Sequence, residues 1–496
     1  MKPRTSLFVT LLVLYLSVNP FLSHAAFYEG DYIYEIENGE AIITGFNEAY
    51  SGELSVTNTL GGVSVTRIAW GVFLSCDGLT GITIPDSVVD VGDGAFQGSN
   101  FHPDEFTTEY FSFVNLASVI IGNGVTNLGV FSFTGCPVLT NVVIGARVAS
   151  IGYDSFVDCP NLKTINVDAE NRFFASDSGV LFTKDMTTLI RYPERGNGSY
   201  AITGSVTTID RGAFYRCNPL GSVTIPAGVN RIGIIAFADC TELTSIDVDV
   251  SNMSYSSLNG SLFNKSRTTL IQCPGATTGC YTMPDSVTTI GHAAFIGCSS
   301  LTGVTMPTGV TSIGKSAFSL CTGLTSLKIP SGVPIIDSYT FSSCTNLGSL
   351  TIPASVTNVY DAFYACYRLK DILFEGNKPY TTLYSSPFDL FYSCRSATVY
   401  YLPNTTGWSA TFAGRPTLCW NPAVQHDTGF GFASNRFGFN ISGTTNIPVV
   451  VEATTNLSTG IWMPLLTNTL GTSGSLSFND PSSTNYPARF YRIRWP

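Results

Sequence analysis

The stretch that decides the fold is VTSIGKSAFSLCTGLTSLKIP, Val310–Pro330. Its apolar skeleton, I-x4-F-x2-C-x2-L-x2-L-x-I-P, returns along most of the chain. Cys298 and Cys321, Cys321 and Cys344, Cys136 and Cys159, and Cys217 and Cys240 are each 23 residues apart, and Cys366 follows Cys344 at 22. Phenylalanine stands three residues before nearly every one (Phe133, Phe156, Phe214, Phe237, Phe295, Phe318, Phe341, Phe363), and leucine three residues after (Leu139, Leu162, Leu220, Leu243, Leu301, Leu324, Leu347, Leu369). About eleven such units fit between Ile68 and Pro403.

A unit this short cannot bury its own apolar side chains, so the period means coils stacked on one another. Residues at i and i+2, such as Leu327/Ile329, Leu350/Ile352 and Ile82/Ile84, alternate inward as a short parallel strand requires. The proline after the strand ends it. The Ile-Gly-x-x-Ala-Phe segment predicts a single helical or 3₁₀ turn whose Phe plugs the core.

Two gaps break the period in the same way. Cys159 to Cys217 and Cys240 to Cys298 both span 58 residues, which places two 35-residue insertions 81 residues apart. Asn171–Pro193 (NRFFASDSGVLFTKDMTTLIRYP) and Asn252–Pro274 (NMSYSSLNGSLFNKSRTTLIQCP) share Asn, Gly, Leu-Phe, Lys, Thr-Thr-Leu-Ile and Pro at equal offsets. Their strand-Gly-strand pattern predicts two β-hairpin flaps, about 166–200 and 247–281, projecting from the stack. A third insertion of 14 residues, about 99–112, separates Cys76 from Cys136, with Phe113 at the cysteine position.

Composition narrows the function. The 496 residues are 44% hydrophobic and only 12% charged, with 13 Cys, 47 Gly, 33 Phe and a net charge of −10. This balance excludes a nucleic-acid binder and a disordered chain. Lys2 and Arg4, the apolar run Leu7–Leu16 and the small-residue site Ser23-His24-Ala25 read as a secretory signal peptide over residues 1–25. The alternative, an N-terminal membrane anchor, has an apolar core too short to span. No later stretch is long and apolar enough to cross a bilayer, so no membrane span is expected after signal cleavage.

The Val/Ile-x-x-Ile-Gly-x-x-Ala-Phe-x-x-Cys runs (Val310–Cys321, Val287–Cys298) and the Ile-Pro strand ends (Ile84-Pro85, Ile225-Pro226, Ile329-Pro330, Ile352-Pro353) resemble the BspA-like leucine-rich repeat family over about residues 31–403. Tyr32–Ile36 and Asn38–Ile43 are similar to that family's lead-in, giving an N-terminal β cap over 26–67 before a leucine-rich repeat solenoid over 68–420. One departure is the missing asparagine ladder of the wider leucine-rich pattern, whose place is held by Gly332 or Ser355. The resemblance implies adhesion to proteins or other extracellular matter.

Ten of the 13 cysteines fall on the repeat and read as a buried ladder of small apolar side chains rather than a disulfide framework. Cys273 and Cys280 lie in the second flap, where the first has Tyr192 and Ser199. They predict a disulfide that closes the flap, with zinc as the rival and no further ligand nearby in sequence. After Trp420 the rhythm stops, and 421–496 reads as a small antiparallel β-sandwich of five or more strands. Glu452–Leu457, Trp462, Phe478-Asn479-Asp480 and Arg489–Arg492 resemble a C-terminal β module of secreted Planctomycetes and Verrucomicrobia proteins.

Candidate chemistry is sparse. His102, His292 and His426 have no partner at metal or nucleophile spacing, and neither a cofactor nor a metal is implied. Asp177-Ser178-Gly179 and Asp427-Thr428-Gly429 look like aspartic-protease loops but read as turns. Asn197, Asn252 and Asn404 head Asn-x-Ser/Thr triplets that carry glycans only in a eukaryotic host. The middle outward strand residues, Thr83, Ile120, Val143, Asn166, Thr224, Asp247, Thr305, Lys328, Thr351 and Leu373, form a mostly neutral, hydroxyl-bearing row. Thr83, Asn166, Thr224, Asp247, Thr305, Lys328 and Thr351 are the candidate binding face, with extracellular protein or glycan as the partner. A structural envelope component anchored by the C-terminal module is the alternative, and an enzyme the third. The sequence leaves the oligomeric state open.

Overall fold

The computed structural model describes residues 25–98, 115–195, 198–381, 390–391 and 393–496. The signal-peptide reading of 1–24, the insertion at 99–112 with His102, Phe113 and Asn197 lie outside the described residues. The chain divides into two compact units, one ending at Asp185 and the other beginning at Met186.

In the first unit the strands Phe27–Glu29, Tyr32–Glu37 and Glu40–Phe46 form antiparallel hairpins, and the last of them pairs in parallel with Val63–Ile68. From there two parallel ladders run side by side. The long strands Gly52–Ser55, Leu79–Ile84, Ser118–Ile121, Asn141–Ile144 and Thr164–Val167 form one. The short strands Val63–Ile68, Asp90–Val91, Asn127–Leu128 and Ser150–Ile151 form the other. Rungs therefore begin inside the expected β cap.

The second unit repeats the plan. Its short strands are Thr188–Arg191, Thr208–Ile209 and Arg231–Ile232, then Thr269–Gln272, Thr289–Ile290 and Ser312–Ile313, then Ile335–Ile336 and Asn358–Val359. Its long strands fall into three sets. Ser199–Ala201, Ser222–Ile225 and Ser245–Val248 make the first, and Gly279–Thr282 with Leu301–Thr305 the second. Ser326–Lys328, Ser349–Ile352, Asp371–Phe374, Thr398–Tyr401 and Arg415–Cys419 make the third. Both units are β-solenoids of stacked coils.

The core is a stack of rings. Phe73, Phe96 and Phe133 stack at centroid distances of 4.6 and 5.0 Å, and Phe295, Phe318, Phe341, Phe363 and Phe391 at 5.0 to 5.8 Å. All of them are fully buried. Burying such a side chain contributes about 1.5–3 kcal/mol, and each ring pair adds roughly 0.5–1.5. Beside the rings runs the thiol ladder: Cys321 Sγ donates to Phe295 O at 3.1 Å, Cys344 to Phe318 O at 3.1 Å and Cys366 to Phe341 O at 3.0 Å. A thiol here is small enough for the core and satisfies a carbonyl of the preceding coil. Burial pushes the Cys344 thiol up to about 12 and the Cys76 thiol up to about 11.

The Ile-Gly-x-x-Ala-Phe segment is not the expected helical turn. Left-handed residues stand two before and two after the ring: Ser316 (φ 58°) and Leu320 (60°) around Phe318, and Ile235 (54°) and Asp239 (55°) around Phe237. This alternation turns the N–H groups toward the neighbouring coil, where Phe295 N donates to Ala317 O and Phe318 N to Thr340 O, both at 2.8 Å. A helix would have used those donors internally. The repeat glycine follows from the same packing, because a Cβ on Gly314 would lie 2.7 Å from His292 N and one on Gly233 would lie 2.3 Å from Arg211 N.

The insertions contain the expected hairpins, Phe174–Asp177 with Val180–Thr183 and Tyr255–Leu258 with Ser261–Asn264. They do not project as flaps, since Leu181, Phe182, Leu262 and Phe263 are fully buried. Each hairpin closes the edge of the preceding long strand: Ile165 N donates to Gly179 O at 2.9 Å, and Ile246 N to Gly260 O at 2.8 Å. Val167 N bonds Ser176 Oγ, and Val248 N bonds Ser257 Oγ. The shared asparagine makes the corner. Asn252, fully buried, donates to Pro226 O and Val229 O at 3.0 and 2.8 Å and accepts from Ser254 N and Tyr255 N at 2.9 and 2.8 Å. Asn171 does the same with Gly145 O, Val148 O, Phe173 N and Phe174 N.

Residues 423–494 form two antiparallel sheets. Arg436–Ser442 pairs with Ala423–Gln425, Gly431–Ala433 and Ser475–Asp480, while Pro448–Thr454 pairs with Met463–Thr469 and Phe490–Arg494. Phe439, Ile441, Val449, Val451, Phe478 and Trp495 fill the space between them, as a small sandwich requires.

Candidate functional site

The strand register brings the expected face into rows. In the first unit Ser55, Thr83, Ile120, Val143 and Asn166 are direct cross-strand neighbours. Asn166 is exposed and donates to Asn141 Oδ1 at 2.9 Å, and Thr164 Oγ1 donates to the same oxygen at 2.7 Å. In the second unit Ala201, Thr224 and Asp247 are in register, Thr282 faces Thr305, and Lys328, Thr351, Leu373, Tyr400 and Leu418 continue the line. Thr224, Asp247, Thr305 and Lys328 are exposed and Thr351 is half-buried. Ser245 Oγ holds the Asp247 carboxylate at 2.9 Å.

The row ends under protein. Leu373 and Tyr400 are 3% and 4% exposed because the C-terminal sandwich sits on them. Trp495 packs edge-on against Tyr400 at 4.7 Å and against Trp420 at 5.9 Å, and Trp420 Nε1 donates to Pro448 O at 2.7 Å. Sequence reasoning left Leu373 on the open face because nothing in the repeat marks which rungs another module will cover.

The predicted Cys273–Cys280 disulfide is not formed: both thiols are free, the first buried and the second exposed. Cys273 occupies the ring position of its coil, with its Sγ 3.3 Å from Thr277 Oγ1 and its carbonyl oxygen 4.0 Å from the Sγ of Cys298, the next ladder cysteine. Cys280 lies on the strand Gly279–Thr282 and faces Thr305 Oγ1 at 3.8 Å. The sibling coil has Tyr192 at the ring position, stacked on Phe214 at 5.2 Å. Absence of cysteine there reflects a different plug for the same hole.

Both Asp-x-Gly triplets are turns. Ser178 and Gly179 are left-handed (φ 53° and 81°) at the tip of the first hairpin, and Asp427 Oδ1 accepts from Gly429 N at 2.8 Å. The bond from Asn440 and that from Gly429 hold the Asp427 carboxyl below its usual range. Complete burial of Asn252, with all four of its hydrogen-bonding positions engaged, rules it out as a glycan acceptor. Among the described residues no group of three or more His, Cys, Asp or Glu could hold a metal, and no helix is long and apolar enough to cross a membrane.

The basic, aromatic tail is engaged internally. Glu452, 4% exposed, takes Arg492 at 2.7 Å and Arg494 at 2.5 Å, and Arg492 lies over the Trp462 ring at 4.3 Å. Burial opposes the Glu452 charge, but the bonds from Arg494 and Arg492 prevail and hold its pKa below the ordinary value. Asp480 pairs with Arg489 at 2.7 Å and accepts from Tyr491 at 2.8 Å. The motif residues Thr454, Thr455, Asn456 and Arg489 line a surface cleft of about 310 Å³ with Tyr486 and Met463.

The family model described as BspA type Leucine rich repeat region matches residues 21–102, 104–178, 198–281 and 276–398, in six copies. No curated protein matches the chain. Among solved structures, the chain is similar to a leucine rich cell surface protein from Faecalibacterium prausnitzii, 24% identical over 76% of this chain and 95% of that one, with a TM-score of 0.45. It is also similar to a leucine-rich repeat protein from Eubacterium ventriosum (20%, 76% and 84%, TM-score 0.42). The pneumococcal vaccine antigen PcpA is a further match (17%, 77% and 94%, TM-score 0.38). With its repeat matched over more than half its length, and with the ring, thiol and glycine positions of that repeat each given a place in the coil, the chain belongs to the BspA-type leucine-rich repeat family.

Proposed function

We propose that this is a secreted or cell-surface binding protein that holds extracellular protein or glycan on its long-strand face. The observation that carries the reading is the exposed row Thr224, Asp247, Thr305 and Lys328, with half-buried Thr351, presented on hydrogen-bonded rungs. Side chains fixed on rungs need little further ordering when a ligand arrives, which favours affinity. A largely neutral hydroxyl face selects by hydrogen-bond geometry and steers weakly over distance. Thr83 and Asn166 extend the same chemistry in the first unit. The family membership agrees with binding rather than catalysis, and the role needs no cofactor.

The test is an array of matrix proteins and glycans probed with the secreted chain and with a Thr224→Arg/Thr305→Arg/Thr351→Arg variant. Ligands captured by the first and lost by the second support the proposal. A chain that captures nothing, or a variant that captures as well, overturns it. The second reading, an envelope component anchored by its C-terminal module, is favoured by one observation, the open cleft at Thr454–Asn456. Under that reading Tyr486→Ala with Thr455→Arg releases the protein from the cell, while the strand-face variant stays in place.

A further inference from the structure

The second insertion leaves a slot in the row of turns. From Leu270 of the short strand to Cys273 at the ring position this coil has three residues, where the next coil has five from Ile290 to Phe295. The double turn is therefore missing. A cleft of about 150 Å³ stands in its place, lined on one side by Ile232–Phe237 and on the other by Gly291 and His292, with Ile271 and Gln272 as floor. That is room for about five waters. One end is closed by Tyr255, whose hydroxyl accepts from Ile232 N at 2.9 Å, and past the other end Asp239 reaches Gly297 so closely that a Cβ there would lie 2.3 Å from its Oδ1.

The wall at Ile235 and Phe237 is the edge of an interrupted ladder. One coil earlier, Gly212 N donates to Ile234 O at 3.2 Å and Phe214 N to Ala236 O at 2.8 Å. One coil beyond the slot, Ala293 N donates to Lys315 O and Phe295 N to Ala317 O at 3.0 and 2.8 Å. Among the described residues no acceptor meets Ile235 N or Phe237 N, although both residues are buried. Such donors are open to any acceptor that enters the cleft. The acceptors met in the turns flanking the slot, Ile234 O with Ala236 O and Lys315 O with Ala317 O, are carbonyls two residues apart on a neighbouring main chain. The slot floor is apolar at Ile271, its rim carries Ile234 at 52% exposure, and Gln272, buried at 3%, bonds Cys273 O at 3.0 Å through its amide nitrogen.

We propose that this slot binds an extended apolar peptide segment, which completes the coil-to-coil ladder by offering carbonyls i and i+2 to Ile235 N and Phe237 N and laying the side chain of i+1 over Ile271. The site lies on the turn side of the coil, apart from the long-strand face, and neither reading depends on the other. In the sibling insertion the matching residue, Arg191, donates to Gly212 O and, at 3.1 Å, to Tyr215 O of the following turn, as Gln272 donates to Ala294 O at 3.3 Å.

The test uses the full chain labelled with ¹⁵N and the blocked peptides acetyl-Ala-Leu-Ala-amide and acetyl-Ala-Asp-Ala-amide. The leucine peptide gives saturable amide shifts at Ile235 and Phe237 and slows their hydrogen exchange, while the aspartate peptide binds about tenfold more weakly or not at all. Ile234→Asp, on a half-exposed side chain the fold tolerates, weakens the leucine peptide about tenfold, and Ile335→Asp, 41% exposed on another coil, leaves it unchanged. Absence of saturable shifts at these two amides, or equal affinity in Ile234→Asp, overturns the proposal.

Discussion

Asn252→Ala is the perturbation that reads the coil's wiring most sharply. The side chain is fully buried and spans two segments, so its removal strands Pro226 O and Val229 O on one side and Ser254 N and Tyr255 N on the other. A buried polar group without its partner costs about 1–3 kcal/mol. Ser254 and Tyr255 are half-buried and can recover water, so the full cost is assigned to the two carbonyls and a partial one to the amides, about 3–5 kcal/mol together. Repeat arrays open locally, which makes hydrogen exchange the right assay. The amides of Ile246 and Val248, closed by Gly260 O and Ser257 Oγ, should exchange at least about a hundredfold faster in the variant. Asn171→Ala should do the same to Ile165 and Val167, because the first insertion repeats the geometry. Asn252→Asp keeps the acceptors for both amides but turns an oxygen toward the two carbonyls, and should be no less harmful. Acceleration below about tenfold at these amides would refute the reasoning.

Further expectations follow from the same contacts. Gly314→Ala should destabilise by about 1–3 kcal/mol, because the new Cβ meets backbone at 2.7 Å, whereas Gly348→Ala, with nothing within 4 Å, should be neutral or stabilising in urea titrations. Iodoacetamide at pH 8 without reductant should modify Cys280 first, since it is exposed, and spare Cys321, Cys344 and Cys366, whose burial raises their pKa and keeps them protonated; mass mapping that finds Cys280 protected would contradict this. Glu452 has a folded pKa below its unfolded value, so its contribution is present above the ordinary carboxylate pKa near 4.5 and lost as pH falls through the folded one. Glu452→Gln should therefore flatten the acid limb of the sandwich's stability profile, read by Trp fluorescence.

The repeat was legible because its residues do one job at every coil: Phe318 stacks, Cys321 bonds the previous turn, and Gly314 lets two backbones touch. The turn was misread as helical because Ser316 and Leu320 give no sign of left-handed backbone; neither is Gly or Asn, and only the coil-to-coil bonds impose it. The hairpins were found and their burial missed, since Leu262 and Phe263 look alike whether they cap a flap or a core. Cys273 and Cys280 were paired by their joint absence from the sibling, yet each answers to a different neighbour, Cys298 in the core and Thr305 on the surface. The face residues share one strand register because strand alternation has a period of two, whereas the covering of Leu373 depends on a module that shares no pattern with the repeat.

The most direct test of binding through the long-strand face is the affinity of an array-identified ligand for two matched variants of the full chain. One carries Thr224→Arg, Thr305→Arg and Thr351→Arg on the face; the other carries Thr207→Arg, Thr288→Arg and Thr311→Arg beside the short strands. The account predicts loss of about tenfold or more with the first and little change with the second. Equal affinities, or a loss confined to the second variant, would contradict it.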